Sequence, residues 1–173
     1  MRLKWPDFND NGNVLINLDP DAFCLSERDI EVDGAVFTPK DELHVTLIGT
    51  KLGSIILEKI KQDKSIDGLL GKAFEDIDWS FEQTGPVHIL SRNKGKIFQK
   101  SIIMLIEMPG VAEFYERFMS LGLIDTEIPL PPPHVTMYTH NIPLGIGVPG
   151  QKMLNILSRK TLTVNELNEY CND

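Results

Sequence analysis

Apolar and polar positions alternate along some stretches of this chain and recur every three or four residues along others, and the two periods divide it into elements. Val14, Leu15 and Ile16 in "NVLINLDP" predict a first strand, ended by Asp19-Pro20 because proline has no N–H for a ladder. "GAVFTPKDELHVTLIG" predicts a second strand region, between a proline-led loop and Gly49. The period then changes. Leu52, Ile55, Ile56 and Ile60, followed by Leu69, Leu70, Ala73, Phe74 and Ile77, predict two amphipathic helices, or one helix broken near Asp67-Gly68.

"DWSFEQTGPVHILSR" and "KIFQKSIIMLIEM" predict a hairpin around Asn93-Lys94-Gly95, with Gly85-Pro86 interrupting its first strand. Helical spacing returns through Val111, Phe114, Tyr115 and Phe118, between Pro109-Gly110 and a stop at Gly122. "EIPLPPP" leads into a further strand, and a strand-helix tail is expected beyond "IPLGIGVPG". This order predicts an α+β protein with mainly antiparallel sheet, built as two related halves. Outside the motifs described next, no internal repeat is evident.

Two strand regions carry the same triplet: "HVTL" at His44–Leu47 and "HVTM" at His134–Met137. Side chains alternate across a strand, so Leu43, Val45 and Leu47 share one face while His44 and Thr46 share the other, about 7 Å apart. The same parity sets Val135 and Met137 against His134, Thr136 and Tyr138. Each strand is therefore expected to bury an aliphatic face and to present a histidine and a threonine together.

Imidazole titrates near neutrality, so two of them facing one space can serve as a neutral base and a charged acid. That pair suits displacement at phosphorus, with the Thr46 and Thr136 hydroxyls bonding the non-bridging oxygens. No metal is required. The sequence holds no HxH, HExxH, GxSxG or GxxxxGK[ST] to support metal-assisted, serine or nucleoside-triphosphate chemistry. His88 and His140 read as structural histidines, Tyr138 as a possible substrate contact, and Lys96 and Lys100 as cations leaning from the hairpin toward the phosphate.

Composition narrows the partners. The chain has 173 residues, 42% hydrophobic and 24% charged, which suits one domain. A net charge of −8 argues against coating a polynucleotide, which needs a broad basic face, and favours a small substrate. Cys24 and Cys171 form no metal or redox spacing and are expected as free thiols. With no apolar run of membrane-spanning length and no secretory leader pattern, a cytoplasmic protein with no membrane partner is expected. Oligomeric state is not readable.

The paired motifs, their separation, Gly49 after the first and the proline before His134 resemble the two-histidine (2H) phosphoesterase superfamily, which includes RNA 2',5'-ligase and cyclic phosphodiesterase relatives. The resemblance spans roughly residues 13 to 140, with 141–173 as a C-terminal extension of the same domain. It implies a bilobal fold of two pseudo-symmetric, mainly antiparallel lobes flanked by helices, with a cleft between them. It also implies metal-independent cleavage, or reversible formation, of a cyclic phosphate or 2',5'-type bond in a small nucleotide or RNA terminus, a role in RNA processing, and no cofactor. His44 and His134 would be the acid/base pair, and Thr46 and Thr136 the phosphate ligands. The alternative is a non-catalytic module that binds a nucleotide or RNA phosphate in the same cleft.

Overall fold

A computed structural model describes residues 1–23, 25–83, 85–124 and 128–172, so Cys24 lies outside the described residues. The first strand, β1 (Val14–Leu18), buries Val14, Ile16 and Leu18 and turns Asn17 outward. It ends at Asp19, whose carboxylate accepts from the Asp21 N–H where a 3-10 turn begins at Pro20. Two strands follow, β2 (Ile30–Val32) and β3 (Ala35–Pro39), joined through Asp33 and Gly34 at φ of 50° and 70°. β2 is not among the strands the apolar pattern predicts, although Asp33-Gly34 between alternating apolar runs is a strong signal for this two-residue turn.

After β4 (Leu43–Ile48) come α1 (Thr50–Gln62) and α2 (Ser65–Glu75). The break between the helices falls at Asp63-Lys64 and not at Asp67-Gly68. Asp63 accepts from both the backbone N–H and the hydroxyl of Ser65, which starts α2, and Gly68 sits inside that helix. The hairpin β5 (Val87–Lys94) and β6 (Ile97–Leu105), then α3 (Pro109–Ser120), lie where the spacing predicts them. Beyond β7 (His134–His140) the tail is helix, strand, helix: α4 (Gln151–Leu157), β8 (Ser158–Leu162) and α5 (Val164–Asn172).

The strands form two antiparallel sheets in a mixed α+β architecture. One is β1-β4, and the other has the order β2-β3-β7-β6-β5-β8. Six strands laid flat would hold their outer members about 24 Å apart. Here Lys160 on β8 reaches Asp33 at the β2–β3 turn, Nζ to Oδ1 3.0 Å, and α5 packs on both outer strands. The larger sheet is therefore strongly curled, consistent with irregularities in the β5–β8 and β6–β7 registers.

One apolar core joins both sheets to the helices, with Leu43, Val45 and Leu47 of β4 and Val135 and Met137 of β7 in the same cluster. Its aromatic centre is Phe74, Trp79 and Phe114. Trp79 stacks on Phe74 at 4.4 Å between centroids and donates its indole N–H to the Phe74 carbonyl. A smaller cluster on the opposite face of the large sheet packs Leu90 and Ile103 under Ile146, Val148 and Leu154. Among the described residues no helix is long and apolar enough to cross a membrane. Phe114 is fully buried at the meeting point of α2, α3 and Trp79, so Phe114→Ala is expected to lower the unfolding free energy by about 3–5 kcal/mol in urea denaturation.

Candidate active site

The site begins where a ladder stops. β3 pairs with the C-terminal half of β7 through Thr38 with Thr139 and Pro39 with Tyr138, and the Lys40 N–H still reaches the Met137 carbonyl at 2.9 Å. Beyond that rung the chain leaves β7 and continues as β4, which pairs with β1. β4 and β7 run near each other without ladder rungs among the described residues. The two His-Val-Thr triplets lie on these diverging strands.

On β4 the expected alternation holds. Leu43, Val45 and Leu47 are buried while His44 and Thr46 are partly exposed. The Tyr115 hydroxyl donates to the Leu47 carbonyl at 2.9 Å, tying the strand to α3. Burial raises the Tyr115 pKa to about 12, so the group remains a donor. Asn17 of β1 lies directly across from His44 and shares its outward face.

The approach to β7 is built by proline. Pro132 precedes Pro133 and is confined to extended backbone, and its carbonyl accepts from His134 Nδ1 at 2.7 Å. That bond places the proton on Nδ1 and leaves the lone pair on Nε2. His134 is 8% exposed, and Thr136 is partly exposed on the same face.

Strand parity fails one residue later. Ile103 pairs with Thr136 but Ile102 pairs with Tyr138, so Met137 is an extra residue in β7 and the strand bulges. Tyr138 therefore turns away from His134 and joins Val135 in the main core. It is 0% exposed, its hydroxyl accepts from the Ser26 N–H at 2.9 Å, and it does not reach a substrate beside His134. The expected Tyr138 contact is corrected on that ground.

The cations of the β5–β6 hairpin are also elsewhere. Lys100 pairs across the ladder with Ser91 and His140, on the sheet face opposite His134, and Lys96 is exposed at the hairpin turn. His88 and His140 have local partners, Ser158 Oγ at 2.8 Å and the Val36 carbonyl at 2.7 Å.

The cation at the site is Lys40. Its ammonium donates to the Pro143 carbonyl at 3.0 Å and lies close enough to His44 to lower its pKa. For His44, burial lowers the pKa most and Lys40 adds to it, while Glu42 opposes them. For His134, deeper burial lowers it, the Pro132 carbonyl opposes, and the nearby His44 lowers it further. Each imidazole is thus biased toward its neutral form, and the two are near enough to interact. Lys40 and Glu42 stand four and two residues before His44, a spacing that repeats its parity and would have flagged both.

Segment 141–150 flanks the second motif. Gly145 lies so close that a Cβ there would sit 2.5 Å from Thr136 Oγ1, and Ile146 N–H donates to Ser101 Oγ at 3.0 Å. Among the described residues, no three His, Cys, Asp or Glu side chains are grouped to hold a metal ion. No protein-family model, curated protein or solved structure matches this chain. The site's meaning therefore rests on its own geometry.

The local charges give a direct test. In NMR titrations Lys40→Gln is expected to raise the His44 pKa and Glu42→Gln to lower it, with the His134 shift much smaller in both.

Proposed function

We propose that this chain is a metal-independent phosphodiesterase of the two-histidine type, acting in a cleft between a β1–β4 lobe and a β5–β7 lobe. Its substrate would be a cyclic phosphate or 2',5'-type diester in a small nucleotide or RNA terminus. The carrying observation is His134 itself: tied through Nδ1 to Pro132, with no hydrogen bond to Nε2 among the described residues, and close enough to His44 for that imidazole to lower its pKa.

Unequal burial supports a division of roles. His134, the more deeply buried, is the better neutral base, and its Nε2 takes a proton from the attacking water. His44, less buried, is the better acid, and it gives its proton to the departing ribose oxygen. One phosphorus–oxygen bond forms as the other breaks. Charge accumulating on the non-bridging oxygens is met by the Thr46 and Thr136 hydroxyls and by the Lys40 ammonium. In the synthetic direction the two histidines exchange roles.

Turnover of a 2',3'-cyclic nucleotide is expected to survive chelators and to fall roughly 10²- to 10⁴-fold in His44→Ala and in His134→Ala. Wild-type rates in both variants would sink the assignment. Because both imidazole pKa values lie below their ordinary value, the form with one charged and one neutral is most populated below about pH 6.5. The kcat/KM profile should peak there. Bound phosphate favours the charged imidazole, so the kcat profile should peak at higher pH. Gly145→Ala should crowd Thr136 and lower kcat while the circular-dichroism spectrum is retained.

A second reading, a non-catalytic nucleotide or RNA-phosphate binding module, draws on the same lowered pKa values, which leave little charged imidazole at neutral pH. Calorimetric binding of nucleoside monophosphates with no turnover from pH 5 to 8 across cyclic and 2',5'-linked substrates would favour it.

A further inference from the structure

A cavity of about 540 Å³ opens on the other face of the large sheet, where the curl brings β8 toward the β2–β3 turn. Its lining includes Lys100, Arg159 and Lys160 against one acid, Asp33. In a chain of net charge −8, this gathers three cations and one carboxylate around a ligand-sized space. Lys160 is paired with Asp33. Among the described residues no ion pair holds Lys100 or Arg159.

Of those two cations, Arg159 is anchored from the protein side. Arg159 is the extra residue where the β5–β8 register shifts between Ile89 and Leu90. It spends its Nε on Ser91 Oγ at 2.9 Å, and its two terminal nitrogens have no hydrogen bond among the described residues. A guanidinium anchored in this way suits phosphate oxygens, which it meets with parallel N–H donors. Lys100 Nζ stands 5.5 Å from the Phe98 ring centroid, and Phe98 is 45% exposed. A half-exposed aromatic ring beside cations offers a surface on which a base can stack.

We propose that this cavity binds a nucleoside phosphate, with the phosphate on Arg159 and Lys100 and the base on Phe98, as a site separate from the histidines. The inference does not depend on the phosphodiesterase reading, because the two sites lie on opposite faces of the sheet. AMP, adenosine and inorganic phosphate titrated into the full-length chain and followed by amide NMR would test it. AMP should shift amides of β5, β6 and β8, inorganic phosphate should do so more weakly, and adenosine should not. The Lys100 ammonium makes no hydrogen bond to another described residue and Phe98 is exposed, so substitutions at these positions spare the fold.

Lys100→Gln is expected to weaken AMP about tenfold or more. Phe98→Ala should weaken AMP and leave inorganic phosphate unchanged, and His44→Ala should leave binding at this cavity intact. AMP shifts confined to β4 and β7, AMP no tighter than inorganic phosphate, or undiminished AMP affinity in Lys100→Gln would overturn the proposal.

Discussion

The hydrogen bond from the Lys40 N–H to the Met137 carbonyl is the point from which the two motif strands part. Up to it, β3 belongs to the large sheet; past it, the same stretch of chain becomes β4 and belongs to the small one. Strands in one ladder stand less than about 5 Å apart, too close for two polar side chains to face each other across a ligand. Divergence without separation is what the candidate site needs, and the shared core supplies it. The inner residues of both motifs pack into one apolar cluster, which keeps β4 near β7 although no ladder joins them among the described residues.

The Met137 bulge is the second constraint, and it acts on the other end of the motif. By adding one residue on β7, it turns Tyr138 into the core directly after Thr136 has faced outward. Without it the phenol would crowd the space beside His134. With it, the strand presents two polar groups and then returns to packing, and the buried phenol still finds a partner in the Ser26 N–H. Gly145 fits the same reading, since its missing Cβ lets segment 141–150 close against Thr136 without displacing the hydroxyl.

Periodicity made legible what depends on local pattern: β1, the β5–β6 hairpin, α3 and the outward face of His44-Val45-Thr46. Asp33-Gly34 was legible too and marks β2, but a three-residue strand offers little alternation around its turn. The helix break at Asp63 shows capping prevailing over glycine, because an aspartate that bonds both the N–H and hydroxyl of Ser65 stabilises a boundary while Gly68 only weakens a helix interior. Tyr138 was not legible. A bulge is set by the neighbouring strand's register, and no pattern within "HVTMYTH" reveals it. Lys40 lay between: its parity with His44 is visible, but its bond to Pro143 is a contact over 103 residues.

The same three letters acquire different chemistry from where their strands sit. β4 is half of a two-stranded sheet, so its outer face stays wet and His44 keeps part of its hydration. β7 is laddered to β6 along the motif, with His134 across from Leu105, and the segment after it folds back against Thr136; His134 is nearly out of water. An imidazole so buried must have its N–H satisfied or lose the energy of a hydrogen bond. The Pro131-Pro132-Pro133 run provides that acceptor while its fixed backbone limits alternatives. Burial lowers the pKa of both imidazoles most; the Pro132 carbonyl opposes it at His134, whereas at His44 Lys40 adds to it and Glu42 opposes. Two identical triplets thus hold imidazoles in unlike surroundings without any difference in their own residues, and unequal imidazoles are what the proposed acid/base pair would require.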